Sequence, residues 1–247
     1  MVTAPNPVRA RLGTWPYQPE IAHLVLLDHN MVPDEHHVRD WVDEARRRGA
    51  RTIRTGAVFP RAAPAFLTAG FEPIDRLALL DLDLTGVHLP PTSGAPGRLQ
   101  RLRRPRLDAA ARVDAAAFGS TWANDAATLA EINDATPHHR ARHVVRRGDT
   151  VAFAISGRAR TSGYVQRLAV HPDHRRNGIG RHLLHDALGW MRRRGVRRVM
   201  VNTAVDNVAA MRLYEQSGFR RSGDTLVMLE LDLGTDRVTD RRTPAAP

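Results

Sequence analysis

The residues best suited to chemistry stand at 175–181, in the sequence Arg-Arg-Asn-Gly-Ile-Gly-Arg. An apolar, β-branched stretch at 164–170 precedes them and an amphipathic helical spacing follows, which predicts a strand, a glycine-bearing loop and a helix. The first turn of a helix leaves backbone N–H groups without intrahelical partners, and the helix dipole adds positive charge there. Arginines supply further positive charge, and glycines let a ligand approach the backbone closely. The loop is therefore predicted to bind a pyrophosphate.

Two familiar phosphate-loop patterns are missing. There is no GxxxxGK[ST] segment, which excludes a P-loop, and Gly178 and Gly180 do not complete the dinucleotide pattern GxGxxG. A strand-to-helix turn that uses glycines only for its geometry is the alternative interpretation of the loop. What remains is RxxGxG after a strand, and this pattern resembles the acetyl-CoA loop of the GNAT acyltransferase superfamily.

A second motif downstream resembles the same superfamily. After a predicted strand at 199–205, residues 207–219 read Asn-x-x-Ala-x-x-Leu-Tyr-x-x-x-Gly-Phe. The two motifs stand in the family's order, and the resemblance extends over about residues 97–233. It implies an α/β (α+β) fold with a GNAT-like mixed central sheet flanked by helices. It also implies acetyl-CoA as co-substrate, with no metal.

The resemblance further implies a role for each matching residue. The backbone of a bulged strand, splayed from its neighbour, would bind the pantetheine arm and polarise the thioester carbonyl. Asn207 would contact the CoA arm, a role compatible with capping a helix, and the Tyr214 hydroxyl would point at the thioester sulfur. The predicted catalytic residue is Tyr214, for which a packed core tyrosine is the alternative. The predicted cofactor-binding residues are Leu168, Ala169, Val170, Arg175, Arg176, Asn177, Gly178, Ile179, Gly180, Arg181, Asn207 and Tyr214.

The group that deprotonates the acceptor amine has no assigned residue. An amine with a pKa of about 10 is mostly protonated at neutral pH, and in many relatives a strand carboxylate takes its proton. Here the matching positions hold Gln166 and Arg167, and neither side chain is a base. His143, His171 and Glu131 are candidates, but a chain of water molecules is the default expectation.

The 247 residues are predicted to hold one complete domain and a shorter copy of it. Three segments recur at offsets of 146, 148 and 149, which favours an ancestral duplication: 45–49 with 191–195, 69–71 with 217–219, and 80–84 with 229–233. The first copy lacks RxxGxG and has Phe66 where the second has Tyr214, so it is predicted to be a non-catalytic, degenerate half-domain. The predicted boundaries are 1–84 for this half-domain, 85–97 for a linker, 98–233 for the catalytic domain and 234–247 for a disordered tail.

Three local features are also expected. Residues 1–20, with several prolines and little periodicity, are predicted to form an extended arm. Leu99–Leu107 is predicted to be the opening strand of the complete domain. The pair Gly148-Asp149 is predicted to form a tight hairpin turn between two strands.

Charge and composition narrow the function. The net charge is +11, and residues 97–247 hold 27 Arg against 15 acidic residues, a net of +12 in the half with the phosphate loop. Such charge attracts a polyanionic cofactor or nucleic acid, but the arginine clusters lack interleaved aromatic residues, which disfavours nucleic acid. The absence of cysteine excludes disulfides and thiolate metal sites. No signal-like or membrane-length apolar run is present, so a cytoplasmic protein without a membrane partner is predicted.

Together these features predict an acetyl-CoA-dependent N-acetyltransferase. It would transfer an acyl group directly from CoA to an amine acceptor, which is either a small molecule or a protein amine. The alternative is a non-catalytic acyl-CoA sensor, which the missing strand carboxylate favours and Tyr214 disfavours. The positive charge argues mildly against polycationic acceptors. A monomer or a homodimer is predicted, since two copies in one chain could imitate a dimer.

Overall fold

The computed structural model describes residues 8–27, 31–86 and 97–234. Both strands and helices are found in these ranges. The strands are β1 (Ala10–Trp15), β2 (Gln18–Leu26), β3 (Thr52–Thr55), β4 (Glu72–Asp83), β5 (Leu99–Arg101), β6 (His138–Arg146), β7 (Asp149–Ala159), β8 (Ser162–Val170), β9 (Arg198–Ala204) and β10 (Arg220–Asp232). The helices are α1 (Glu35–Arg47), α2 (Ala63–Thr68), α3 (Leu107–Phe118), α4 (Ala126–Asp134), α5 (Ile179–Arg193) and α6 (Val208–Gln216).

Two compact units make up the described chain. One, here called the terminal unit, contains the described residues up to Ile74 and those from Val227 onward; the other, the central unit, contains Asp75–Leu226. This division falls inside β4 and β10, whereas the sequence predicted a division at the linker 85–97. Most of that linker, and the predicted tail from residue 235 onward, lie outside the described residues.

The terminal unit consists of a four-stranded sheet and two helices. β1 pairs antiparallel with β2, β2 pairs parallel with β3, and β3 pairs antiparallel with the end of β10. The Asp34 side chain caps α1 by accepting a hydrogen bond from the His37 amide at 2.9 Å. Val38, Val42 and Ala45 recur at helical spacing along α1 and are buried, so this face of the helix packs into the apolar core of the unit.

The three local expectations were wrong in detail. The described part of the expected arm forms β1 and a turn at Pro16-Tyr17, where Tyr17 has a φ of 61°. Proline presets the first torsion of such a turn, so it starts a hairpin here. β5 stops at Arg101, because the 3-10 turn Arg104–Arg106 then leads into α3. The hairpin turn lies one residue earlier than expected, with φ angles of 51° at Arg147 and 90° at Gly148.

The predicted sequence repeat has a counterpart in strand register. The end of β10 pairs with β3 in the terminal unit as the end of β4 pairs with β9 in the central unit. The equivalent pairs are Asp232 with Thr52 and Asp83 with Arg198, Leu231 with Ile53 and Leu82 with Val199. These positions differ by 149 along one strand (232 and 83) and by 146 along the other (198 and 52), the offsets found in the sequence. The register supports the predicted duplication, and each unit holds a strand from the other half of the chain.

Leu229→Ala and Leu80→Ala should destabilise different units. Both leucines are fully buried at repeat-related positions, Leu229 in the core of the terminal unit and Leu80 in that of the central unit. Each truncation should cost about 2–5 kcal/mol of unfolding free energy, because it leaves a cavity. Amide hydrogen exchange followed by mass spectrometry should show faster exchange in β2 and β3 for Leu229→Ala and in β8 and β9 for Leu80→Ala. Equal acceleration of both units by both changes would contradict this assignment of strands.

The central unit is built on a mixed sheet in the order β4, β9, β8, β7, β6, β5. Along β7, Phe153 and Ile155 pack with α3 and α4, whereas Ala152 and Ala154 pack with the start of α5 on the opposite face. α5 and α6 share a core with β4, β8 and β9 on that second face. A mixed sheet with helices on both faces confirms the predicted fold class.

Candidate active site

α5 begins directly after the predicted phosphate loop. Gly178 precedes the first helical residue and has a φ of 74°, in the left-handed region that glycine adopts without strain. Residues 175–178 are exposed, and Arg176 also has a positive φ, of 58°. The amides of the next three residues, Ile179–Arg181, have no carbonyl partner within the helix. The loop therefore ends in a ready anion site at the positive end of a 15-residue helix.

The three arginines of the loop region do different things. The Arg175 guanidinium donates to the backbone oxygens of Ala117 at 3.0 Å and Val170 at 3.3 Å, so it holds the loop against α3 and β8. Arg181 donates to the Gln216 side chain at 3.0 Å. Arg176 is exposed, and no hydrogen bond of its side chain occurs within the described residues. The phosphate contact expected of these side chains is thus best placed on Arg176, while Arg175 is engaged by the protein.

The first turn of α5 brings several predicted site residues together. A Cβ atom added to Gly180 would lie 3.5 Å from the Leu213 side chain and 3.7 and 3.8 Å from those of Val170 and Leu168. Gly180 therefore sits where β8, α5 and α6 converge. Ile179 is buried beside Leu183 in the core under this turn.

β8 separates from β9 just before residues 168–170 of β8, the residues predicted to bind the pantetheine arm. The parallel pairing of the two strands covers Ser162–Tyr164 and Arg198–Met200, and no further pairs join them in the described chain. On its other side β8 pairs with β7 throughout, with Leu168, Ala169 and Val170 opposite Ala154, Phe153 and Ala152, and a bulge at Gln166 shifts the register. The implied bulge and splay are confirmed. Between β8 and β9 they leave a groove in which residues 168–170 have no strand partner on the β9 side, although the Val170 oxygen accepts from Arg175.

Tyr214 lies in α6 next to this groove. Only 5% of the residue is exposed, and it packs in the core that includes Val165 and, at its edge, Leu168. Burial raises the pKa of Tyr214 to about 12, and the positive charge of Arg167 opposes the rise. The phenol therefore stays neutral and available as a hydrogen-bond donor. Asn207 caps α6, because its side chain accepts from the Ala210 amide at 3.1 Å, as the capping alternative predicted.

Sequence comparison identifies the family of this segment. The model of the Acetyltransferase (GNAT) family matches residues 107–219. Residues 107–219 belong to the GNAT family. This GNAT segment lies within the central unit and contains the loop, the groove and Tyr214.

Part of this chain is similar to curated proteins with several different names. One is the [Ribosomal protein bS18]-alanine N-acetyltransferase of Escherichia coli (strain K12). It is 33% identical over 79 residues, which cover 32% of this chain and 53% of that protein. N-alpha-acetyltransferase 30 of Schizosaccharomyces pombe is 41% identical over 59 residues, 24% of this chain and 39% of that protein. Mycothiol acetyltransferase of Geodermatophilus obscurus is 44% identical over 59 residues, 24% of this chain and 19% of that protein. The chain thus spans about half of the first relative and less of the others.

Solved structures share the fold over most of the chain. A tandem GNAT protein from the clavulanic acid biosynthesis pathway has a TM-score of 0.63 at 16% identity, covering 92% of this chain and 79% of that one. A GCN5-related N-acetyltransferase from Sphaerobacter thermophilus has a TM-score of 0.58 at 17% identity, covering 92% of this chain and 76% of that one. At such low identity the likeness concerns the fold.

The candidate bases of the GNAT segment are held elsewhere or are poorly suited. His143 is buried on β6, which β7 separates from β8. Its Nδ1 lies 3.0 Å from the Thr150 hydroxyl, and burial lowers its pKa. His171 follows the end of β8 and lies 3.6 Å from Asp173. Glu131 is an exposed residue of α4. The water chain expected from the sequence stays the prediction for proton removal.

A buried carboxylate that the sequence analysis missed lies beside the groove. Asp114 of α3 has a fully buried side chain, and its carboxylate binds Arg167 with an Nη2–Oδ1 distance of 2.7 Å and an Nε–Oδ2 distance of 2.9 Å. Burial raises the pKa of Asp114, while Arg167 and Asn124 oppose that rise. One signal could have revealed it, because Asp114 stands four residues after Ala110 and three after Ala111, on the buried stripe of the alanine-rich helix.

Proposed function

We propose that this protein is an acetyl-CoA-dependent N-acetyltransferase that transfers the acetyl group directly to an amine. The observation that carries the proposal is the separation of β8 from β9 next to the Gly178 loop. A groove whose backbone lacks a strand partner on one side, ending at the positive end of a helix, suits a ligand that is a long amide-bearing arm with a diphosphate at its end. The family of residues 107–219 supports the same ligand.

The proposed cofactor contacts follow the groove. The amides of Ile179, Gly180 and Arg181 would bind the pyrophosphate, with Asn177 lining the loop and Arg176 adding a guanidinium. The backbone of Leu168, Ala169 and Val170 would bond the amides of the pantetheine arm. One N–H of this strand would stabilise the oxyanion that forms when the amine nitrogen attacks the thioester carbonyl.

Tyr214 would assist the departure of sulfur. As the carbon–sulfur bond breaks, negative charge grows on the sulfur and the phenol donates a hydrogen bond to it. With the pKa of Tyr214 at about 12, full proton transfer to a thiolate whose thiol has a pKa of about 8.5 is uphill by about 5 kcal/mol. A strengthening hydrogen bond therefore fits better than donation of the proton. The amine's own proton would leave through water.

The acceptor is proposed to be an α-amine, at a protein N-terminus or in a smaller amino compound. Two of the relatives above are named for such acceptors, an alanine of a ribosomal protein and N-alpha groups. The net charge of +12 on residues 97–247 disfavours polycationic amines. A cytoplasmic location is part of the proposal; no helix in the described ranges has the length and apolarity to cross a bilayer.

A CoA sensor without turnover is the second candidate, favoured by Gln166 and Arg167 at the positions of a strand carboxylate. The two differ in thiol release. With acetyl-CoA and a panel of amines, we expect free CoA thiol to appear in proportion to the acetylated amine, above the rate without acceptor. If calorimetry shows that acetyl-CoA binds but no amine causes thiol release, the protein is a CoA sensor and not an acetyltransferase.

A further inference from the structure

The Arg167 guanidinium is fixed on several sides. Nε and Nη2 donate to the Asp114 carboxylate, and Nη2 also donates to the Trp122 backbone oxygen at 2.8 Å. The guanidinium carbon lies 3.7 Å from the centre of the Phe118 ring. Planar hydrogen bonding and stacking together hold an arginine in one orientation, so this side chain is preorganised.

One amino group of Arg167 is left over. Nη1 donates to no protein atom within the described residues, and it is not among their buried unpaired atoms. The side chain as a whole is 20% exposed. A rigid arginine thus offers a pair of N–H donors to something outside the protein.

The bulge in β8 determines on which face of the sheet the Arg167 side chain lies. Side chains of a regular strand alternate between faces, but the extra residue Gln166 puts Gln166 and Arg167 on the same face. Gln166 donates to the Ile132 oxygen of α4 and Arg167 binds Asp114 of α3, whereas the next residue, Leu168, packs with the core of α5 and α6. Nη1 therefore lies on the face of the sheet that carries α3 and α4. Its residue directly precedes residues 168–170 of β8, whose backbone lines the groove.

The partner of Nη1 should be an oxygen atom. Asp114 already balances the charge of Arg167, and the remaining N–H groups suit a carbonyl or carboxylate oxygen. Arginine cannot serve as a base, since it stays protonated at every working pH. In an α-amino compound such an oxygen stands two bonds from the carbon that carries the amine. A simple alkylamine has none.

We propose that Arg167 Nη1 binds the carbonyl or carboxylate oxygen next to the acceptor's α-amine and so selects α-amino compounds over alkylamines. This inference rests on the proposed acetyltransferase function. It makes Arg167 a specificity-determining residue, held in place by Asp114.

The test compares acceptors that differ in the group that carries this oxygen: a carboxamide, a carboxylate or a methyl group. Acetylation of alaninamide, alanine and isopropylamine is measured as kcat/KM at equal concentrations of unprotonated amine. For the wild type we expect alaninamide or alanine to exceed isopropylamine at least tenfold, and the better of the two identifies carbonyl or carboxylate. Arg167→Lys should lower this ratio tenfold or more, because a lysine paired with Asp114 loses the forked second donor.

A matched control lies in the same unit. Arg140 forms a similar two-bonded pair with Asp186, at 2.8 and 2.9 Å, with 22% of its side chain exposed. Arg140→Lys should leave the acceptor ratio unchanged. If Arg167→Lys fails to fold by circular dichroism, the double change Asp114→Asn with Arg167→Gln removes both charges together and should also lower the ratio.

Two different results would overturn the selection by Arg167 alone or the proposed acetyltransferase function as a whole. An unchanged ratio in a folded Arg167 variant overturns the selection by Arg167 while the enzyme stands. No acetylation of any of the three amines, or of a peptide N-terminus, by the wild type overturns the proposed function and the inference with it.

Discussion

Tyr214→Phe should lower kcat tenfold or more and leave acetyl-CoA affinity almost unchanged. The change removes one hydroxyl from α6, and that hydroxyl matters most when charge grows on the departing sulfur. The ring stays, so packing against Phe219 at a centroid distance of 5.6 Å is retained. Steady-state kinetics and calorimetry with acetyl-CoA give the two quantities. Tyr164→Phe, in β8, is the matched control, and an unchanged kcat in Tyr214→Phe would remove Tyr214 from the mechanism.

The raised pKa of Tyr214 adds a pH dependence to the same prediction. Because burial moves this pKa from 10.0 to about 12, the folded protein holds the phenolic proton more tightly than the unfolded chain. The free energy of unfolding should therefore fall as the pH rises from about 10 to about 12. Tyr214→Phe should lack that part of the fall. Below pH 10 the phenol is protonated, so it should contribute no decline to the rate.

Gly178→Val should weaken CoA binding tenfold or more. A β-branched residue does not tolerate the φ of 74°, so the loop must change its torsions and shift the amides that open α5. Isothermal titration with CoA measures the loss. The mechanism predicts a change in affinity beyond any loss of stability.

Gly195→Val separates these two effects. Gly195 has the same φ of 74° just past the other end of α5, and nothing lies within 4 Å of its added Cβ. Both variants should lose stability to backbone strain, whereas the loss of CoA affinity should be confined to Gly178→Val. Equal CoA affinity in the two folded variants would show that the loop does not hold the diphosphate.

Structure that depends on local pattern could be predicted from the sequence. The order strand, loop and helix around Gly178, the α6 motif from Asn207 to Phe219 and the fold class all follow from neighbouring residues and their spacing. Helix starts and turn residues are local too, because capping and left-handed torsions depend on a few adjacent side chains. The predictions were wrong at β1, β5 and the Arg147-Gly148 turn, because the points where strand pairing begins and ends depend on the partner strand.

What the sequence by itself determined is local: a glycine-bearing loop between a strand and a helix, a tyrosine on a later helix, no strand carboxylate and a repeat with nearly equal offsets. Only the tertiary structure decided that Arg175 binds protein carbonyls, that Asp114 and Arg167 meet across 53 residues, and that β10 completes the terminal unit. The physical reason is that an ion pair, a bulge or a strand pairing joins residues far apart in the chain. Which distant partner each one finds depends on how the whole sheet is assembled, and composition and periodicity do not carry that information.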